Sequence, residues 1–182
     1  MKTIFDITPT ADDIQNTKYN YQTEFTAKLD NLDEPFNQKI INEIVLWKVN
    51  RYALIDNETL NLINQIKKDD IQINTELTNE ILQRLLEKGQ KGVRLAMAST
   101  ILRFKNPSIY QIIDQRVYRF IYKGQILKYS ETNIKEQITI YLDYLKKLKE
   151  ICKENKVNFE LADRVFYSMD KFYNPDEKLN GY

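Results

Sequence analysis

Asp114 stands where a carboxylate could do chemistry. It follows the apolar step Ile112-Ile113 and precedes Gln115-Arg116-Val117-Tyr118-Arg119, so an acid sits at an apolar-to-polar boundary with Arg116 and Arg119 close behind. A carboxylate in such a position can stabilise a developing cation or take a proton from water. It can equally cap a helix, because aspartate accepts from first-turn N–H groups and favours the positive end of the helix dipole, an effect of roughly 1 kcal/mol. Composition narrows the remaining chemistry. The chain has no histidine and a single cysteine, Cys152, which excludes Ser-His and Cys-His triads, a zinc site, an iron–sulfur cluster and an internal disulfide. Acid–base work must fall to Asp, Glu, Lys or Tyr, and neither a metal nor a cofactor is expected.

These residues need helices to hold them. Four glycines and four prolines among 182 residues leave little room for the turns of a β sandwich or barrel, so the expected class is all-α. Apolar residues recur near a 3.6-residue period at Ile40, Ile41, Ile44, Val45 and Trp47, at Leu60, Ile63 and Ile66, and at Leu77, Ile81, Leu82, Leu85 and Leu86. Glu34-Pro35 reads as a helix start with proline in the first turn, and Asn106-Pro107 as a short turn ahead of Asp114. Helices are expected over 75–88 and 95–104, joined by a turn containing Lys91-Gly92-Val93-Arg94, then over 133–154 and from 159 to about 172. With no internal repeat and no low-complexity linker, residues 1–182 read as one domain, its C-terminal helices spanning 133–172.

The net charge is only +1, yet residues 88–123 carry Lys88, Lys91, Arg94, Arg103, Lys105, Arg116, Arg119 and Lys123 with Asp114 as the sole acid. Gly92-Val93, a small-residue helix containing Ala98, the Ile-Ile-Asp step, then Arg116, Val117 and Arg119 together resemble the signature of the helix-hairpin-helix DNA glycosylase superfamily (HhH-GPD), to which endonuclease III and the alkyladenine and oxoguanine glycosylases belong. The resemblance covers roughly thirty residues within the hairpin and Asp114 segment, about 75–122, and extends weakly to 41–52. It implies two helical lobes around a cleft, with Asp114 as the catalytic carboxylate and Arg116 and Arg119 at the two basic positions. It departs from the pattern at Lys91, where the hairpin has proline, and at Arg94, where it has a second glycine. Ala96 stands where bifunctional members carry a nucleophilic lysine, so the implied enzyme is monofunctional.

The implied function is removal of a damaged or modified base from DNA, with Asp114 stabilising an oxocarbenium-like sugar and activating water. Lys91, Gly92, Val93, Arg94, Arg103, Lys105, Arg116 and Arg119 are the candidate nucleic-acid contacts. Trp47, Asn50, Arg51 and Tyr52 are the candidates for the wedge or pocket that a flipped base requires, although a helix-spaced tryptophan suits a core as well. Tyr118, Tyr122, Tyr129, Phe166, Tyr167, Phe172 and Tyr173 offer stacking surfaces, or core. Glu160, Asp163 and Asp170, with Arg164 and Lys171 nearby, form a second acidic group that lacks metal-ligand spacing. The alternatives are a non-catalytic nucleic-acid-binding hairpin module, with RNA as well as DNA open to it, and a protein-interaction domain. No apolar run approaches the roughly 20 residues of a membrane span, and the first residues resemble neither a signal nor a transit peptide, so a cytoplasmic location is expected.

Overall fold

In the computed structural model, residues 23–33, 35–49, 53–87 and 93–177 are described, and every regular element among them is helical. The chain divides into two compact units, Met1–Tyr52 and Ala53–Tyr182.

The first unit contains α1 (Thr23–Asp30) and α2 (Gln38–Lys48). They are joined by hydrogen bonds from Lys28 Nζ to Glu43 Oε2 (2.7 Å) and from Trp47 Nε1 to Thr26 Oγ1 (2.9 Å). Of the stripe expected on α2, Ile40 is buried, Ile44 and Trp47 are half-buried, and Ile41 and Val45 are exposed. The helix start also differs from the expectation at Glu34-Pro35. Asn37 is the cap, its Oδ1 accepting from Ile40 N at 3.1 Å, and Pro35 belongs to the lead-in. A side-chain oxygen satisfies a first-turn N–H, whereas a proline merely lacks one.

The second unit contains α3 (Asn57–Gln65), α4 (Thr75–Leu86), α5 (Leu95–Lys105), α6 (Gln115–Ile121), α7 (Ile134–Asn155), a 3-10 turn (Phe159–Leu161) and α8 (Ala162–Tyr173). Asp56, Asn74, Asp114 and Asn133 cap α3, α4, α6 and α7 through side-chain oxygens. Two of these four caps are asparagines, a use that the apolar pattern does not reveal. By contrast α5 starts at Arg94 with no side-chain cap. The last helix is not continuous from 159 as expected, because Asn158 caps a single tight turn before the α-helix begins at Ala162.

The core is built from Ile81, Leu82 and Leu85 of α4, Leu95, Ala98 and Leu102 of α5, Val117 of α6, Tyr141, Tyr144 and Leu148 of α7, and Phe166 of α8. Their three- and four-residue spacing turns one face of each helix inward. Burying that much apolar surface, at about 25 cal/mol per Å², is the main source of the unit's stability. No helix among the described residues is long and apolar enough to cross a membrane.

Candidate functional site

Asp114 is reached through an irregular buried segment, Gln111-Ile112-Ile113, whose backbone polar groups need partners away from water. Three side chains supply them. The Tyr141 hydroxyl donates to the Gln111 carbonyl at 3.1 Å, the Tyr144 hydroxyl donates to the Ile112 carbonyl at 2.7 Å, and Ile113 N donates to Ser99 Oγ at 3.1 Å. Burial pushes both tyrosines well above the ordinary phenol value, so they remain protonated donors. Tyr144→Phe is therefore expected to leave a half-buried carbonyl without its partner and cost about 1 kcal/mol, read as a lower urea midpoint at unchanged slope.

At the end of this segment Asp114 takes an extended backbone, φ −121° and ψ 148°, and caps α6. Its Oδ1 accepts from Arg116 N at 2.7 Å and Val117 N at 3.4 Å, and no described residue donates to its Oδ2. The capping function is thus real, and it occupies one oxygen of two. The side chain lines a cavity of about 430 Å³ together with Ile112, Val117, Asp163, Arg164, Tyr167 and Ser168. Four of those seven residues lie on α8, which packs against α6.

The α6–α8 contact is locked by charge. The side chain of Asp170 is 0% exposed and accepts from Arg119 Nε (2.8 Å), Arg119 Nη2 (2.7 Å), Arg116 Nη1 (3.2 Å) and Asn174 Nδ2 (3.0 Å). Burial alone would raise its pKa, but hydrogen bonds from Arg119, Asn174 and Arg116 override that and hold the carboxyl below the usual range. The hydrogen bond to Asp170 likewise raises Arg119.

Most of the basic residues picked out in the sequence are thereby committed internally. Arg116 and Arg119 hold Asp170 and so serve to fix α6. Arg103, expected to grip phosphate, is buried, its Nε lying 3.5 Å from Asp163 Oδ2 and its Nη2 donating to the Glu160 carbonyl at 3.1 Å. A guanidinium so enclosed cannot reach a phosphate in solvent. Lys105 Nζ donates to Asn64 Oδ1 at 3.0 Å, and the exposed Arg94 pairs with Glu131 at 2.9 Å. Val93 is buried. Trp47 lies in the first unit, bonded to Thr26. Lys91, Gly92, Asn50, Arg51 and Tyr52 lie outside the described residues.

The second acidic group does not assemble. Asp163 faces Arg103, Asp170 faces Arg116 and Arg119, and Glu160 Oε1 accepts from Ser108 Oγ at 2.7 Å. Among the described residues no group of three or more His, Cys, Asp or Glu is arranged to hold a metal. Of the aromatic residues, Tyr118 stacks on Tyr122 at 4.2 Å between ring centroids and Phe166 is buried, which is helix packing, while Tyr167, Phe172 and Tyr173 are exposed. Comparison of the chain with protein-family models, with curated proteins and with solved structures finds no match.

The wall opposite Asp114 was not assembled from the sequence. The signal was present as the spacing Arg164, Tyr167 and Ser168 along one side of the last helix, but only the packing of α8 on α6 brings these residues to the cavity that Asp114 lines.

Proposed function

We propose that the chain is a monofunctional DNA N-glycosylase that removes a damaged or modified base, adopting a helix-hairpin-helix glycosylase-like arrangement. The observation that carries this reading is Asp114, which is fixed through Oδ1 at the start of α6 and lines a cavity of about 430 Å³ with Tyr167 and Arg164. That volume falls in the range of roughly 300–1,000 Å³ usual for small-ligand sites.

In the reaction the C1′–N bond breaks, its electron pair leaves with the base, which takes up a proton from solvent, and positive charge spreads over the sugar C1′ and ring oxygen. The Asp114 carboxylate stabilises that charge and takes the proton of the water that adds to C1′. The cap bonds keep the carboxylate from rotating away, which limits the reorganisation needed at the transition state. Ala96 is exposed on α5 and offers no amine, so no Schiff base forms at that position and the abasic product is left intact. The first turn of α5, without a side-chain cap, leaves N–H groups of the kind that hold a phosphate at the hairpin.

A second reading, the non-catalytic nucleic-acid-binding module, is favoured by the cap bonds of Asp114, which give the carboxylate a purely structural use. The two are separated by incubating wild type and Asp114→Asn with DNAs carrying damaged and modified bases and measuring released free base by mass spectrometry. Release by wild type alone supports the glycosylase. Absence of release from every substrate, with equal DNA binding by both proteins, supports the module.

A further inference from the structure

We infer that the exposed face of α8 is a binding track for a single DNA strand, with Tyr167 stacking on an unpaired base and Arg164 and Lys171 holding the flanking phosphates. This rests on the glycosylase reading and names how the substrate is presented to Asp114.

Two cations on this face are open to a ligand. The described arginines of the basic middle all have carboxylate partners, namely Glu131 for Arg94, Asp163 for Arg103 and Asp170 for Arg116 and Arg119. Arg164 and Lys171 have none among the described residues. Both are exposed, one turn to either side of Tyr167. Residues 164, 167, 168 and 171 share one face of α8, whereas Phe166 and Asp170 occupy the buried face.

The aromatic ring supplies the second argument. Tyr167 is 40% exposed, and Lys171 Nζ sits over one face of its ring, 5.8 Å from the centroid, so a base would stack on the other face or take the place of the lysine. An aromatic platform between cations is what a strand with unpaired bases requires, since each base can stack and each phosphate needs a counter-charge. Arg164, Tyr167 and Ser168 also line the cavity that holds Asp114, so a base stacked on Tyr167 would bring its sugar to the wall that carries the carboxylate. A duplex keeps its bases stacked inside and cannot use the ring without first opening.

The test is fluorescence anisotropy of a labelled oligodeoxythymidine over a salt series, with wild type, Tyr167→Ala, Tyr167→Phe and the Arg164→Ala/Lys171→Ala double variant. Melting curves check that each variant is folded. Tyr167→Ala is expected to weaken binding by roughly 5- to 150-fold, while Tyr167→Phe, which keeps the ring, stays near wild type. The double variant should flatten the slope of log K against log salt by about 1.4, at about 0.7 per phosphate contact on a single strand. Equal binding by all four proteins, or no binding by wild type, overturns the track. Base release is measured in parallel. Release that depends on Asp114 and ignores α8 would leave the glycosylase reading standing without the track, whereas α8-dependent binding with no release from any substrate would retain the track and sink the glycosylase.

Discussion

Asp114→Asn is expected to lower the rate of base release by about 10²–10⁴-fold while hardly moving the melting temperature. The reasoning separates the two oxygens of one side chain. Oδ1 receives the N–H groups of Arg116 and Val117, and an asparagine carbonyl can receive them equally well, so the helix keeps its cap. The negative charge is lost, and with it both the stabilisation of a sugar cation and the base that takes the proton of water. Asp114→Ala removes the cap as well and should cost about 1 kcal/mol of stability. Single-turnover base release and thermal melting of the same samples therefore report on chemistry and capping independently. Wild-type release rates in both variants would remove Asp114 from the reaction.

The largest effect on stability is expected at Asp170. Replacing it with alanine leaves two guanidinium groups at the α6–α8 contact without their shared carboxylate, and removing one partner of a buried ion pair costs about 3–5 kcal/mol. The lower end applies because the side chains of Arg116 and Arg119 retain 24% and 12% exposure and can partly rehydrate. Urea unfolding measures it. Since α6 and α8 form the walls of the Asp114 cavity, base release should fall too, even under conditions where the variant is folded.

The same residue sets an acid limit. Asp170 titrates lower in the folded protein than the ordinary aspartate value of about 3.9, so between the two values the unfolded chain binds more protons and stability rises with pH. Its contribution is complete above about pH 4 and is lost as pH falls through the folded value. Wild type should accordingly lose stability on acidification in that window, and Asp170→Ala should show a flatter dependence there. Parallel pH profiles of the two proteins would contradict the assignment.

How much of this was legible beforehand depends on whether a feature is local. The helical class, the approximate extents of α4, α5 and α7, and the capping capacity of Asp114 follow from residue spacing and from the side chain alone, because a helix satisfies its backbone within a few residues. The absence of histidine likewise determined which acid–base groups remain. The fate of the charges was not local. Arg119 and Asp170 are 51 residues apart, and Arg116 and Asp170 are 54 apart. Read along the chain, residues 88–123 look like a basic surface. Folding brings an acidic residue of α8 against α6 and another beside Arg103, so three of those arginines become internal struts. The cavity beside Asp114 has the same origin, since no spacing within one element specifies which face of α8 lies against α6. The sequence by itself determined the helical class, the approximate course of the longer helices and the kinds of group available for chemistry. Tertiary packing alone decided which of those groups face solvent, because a charge stays available to a ligand only where no partner from elsewhere in the chain has neutralised it.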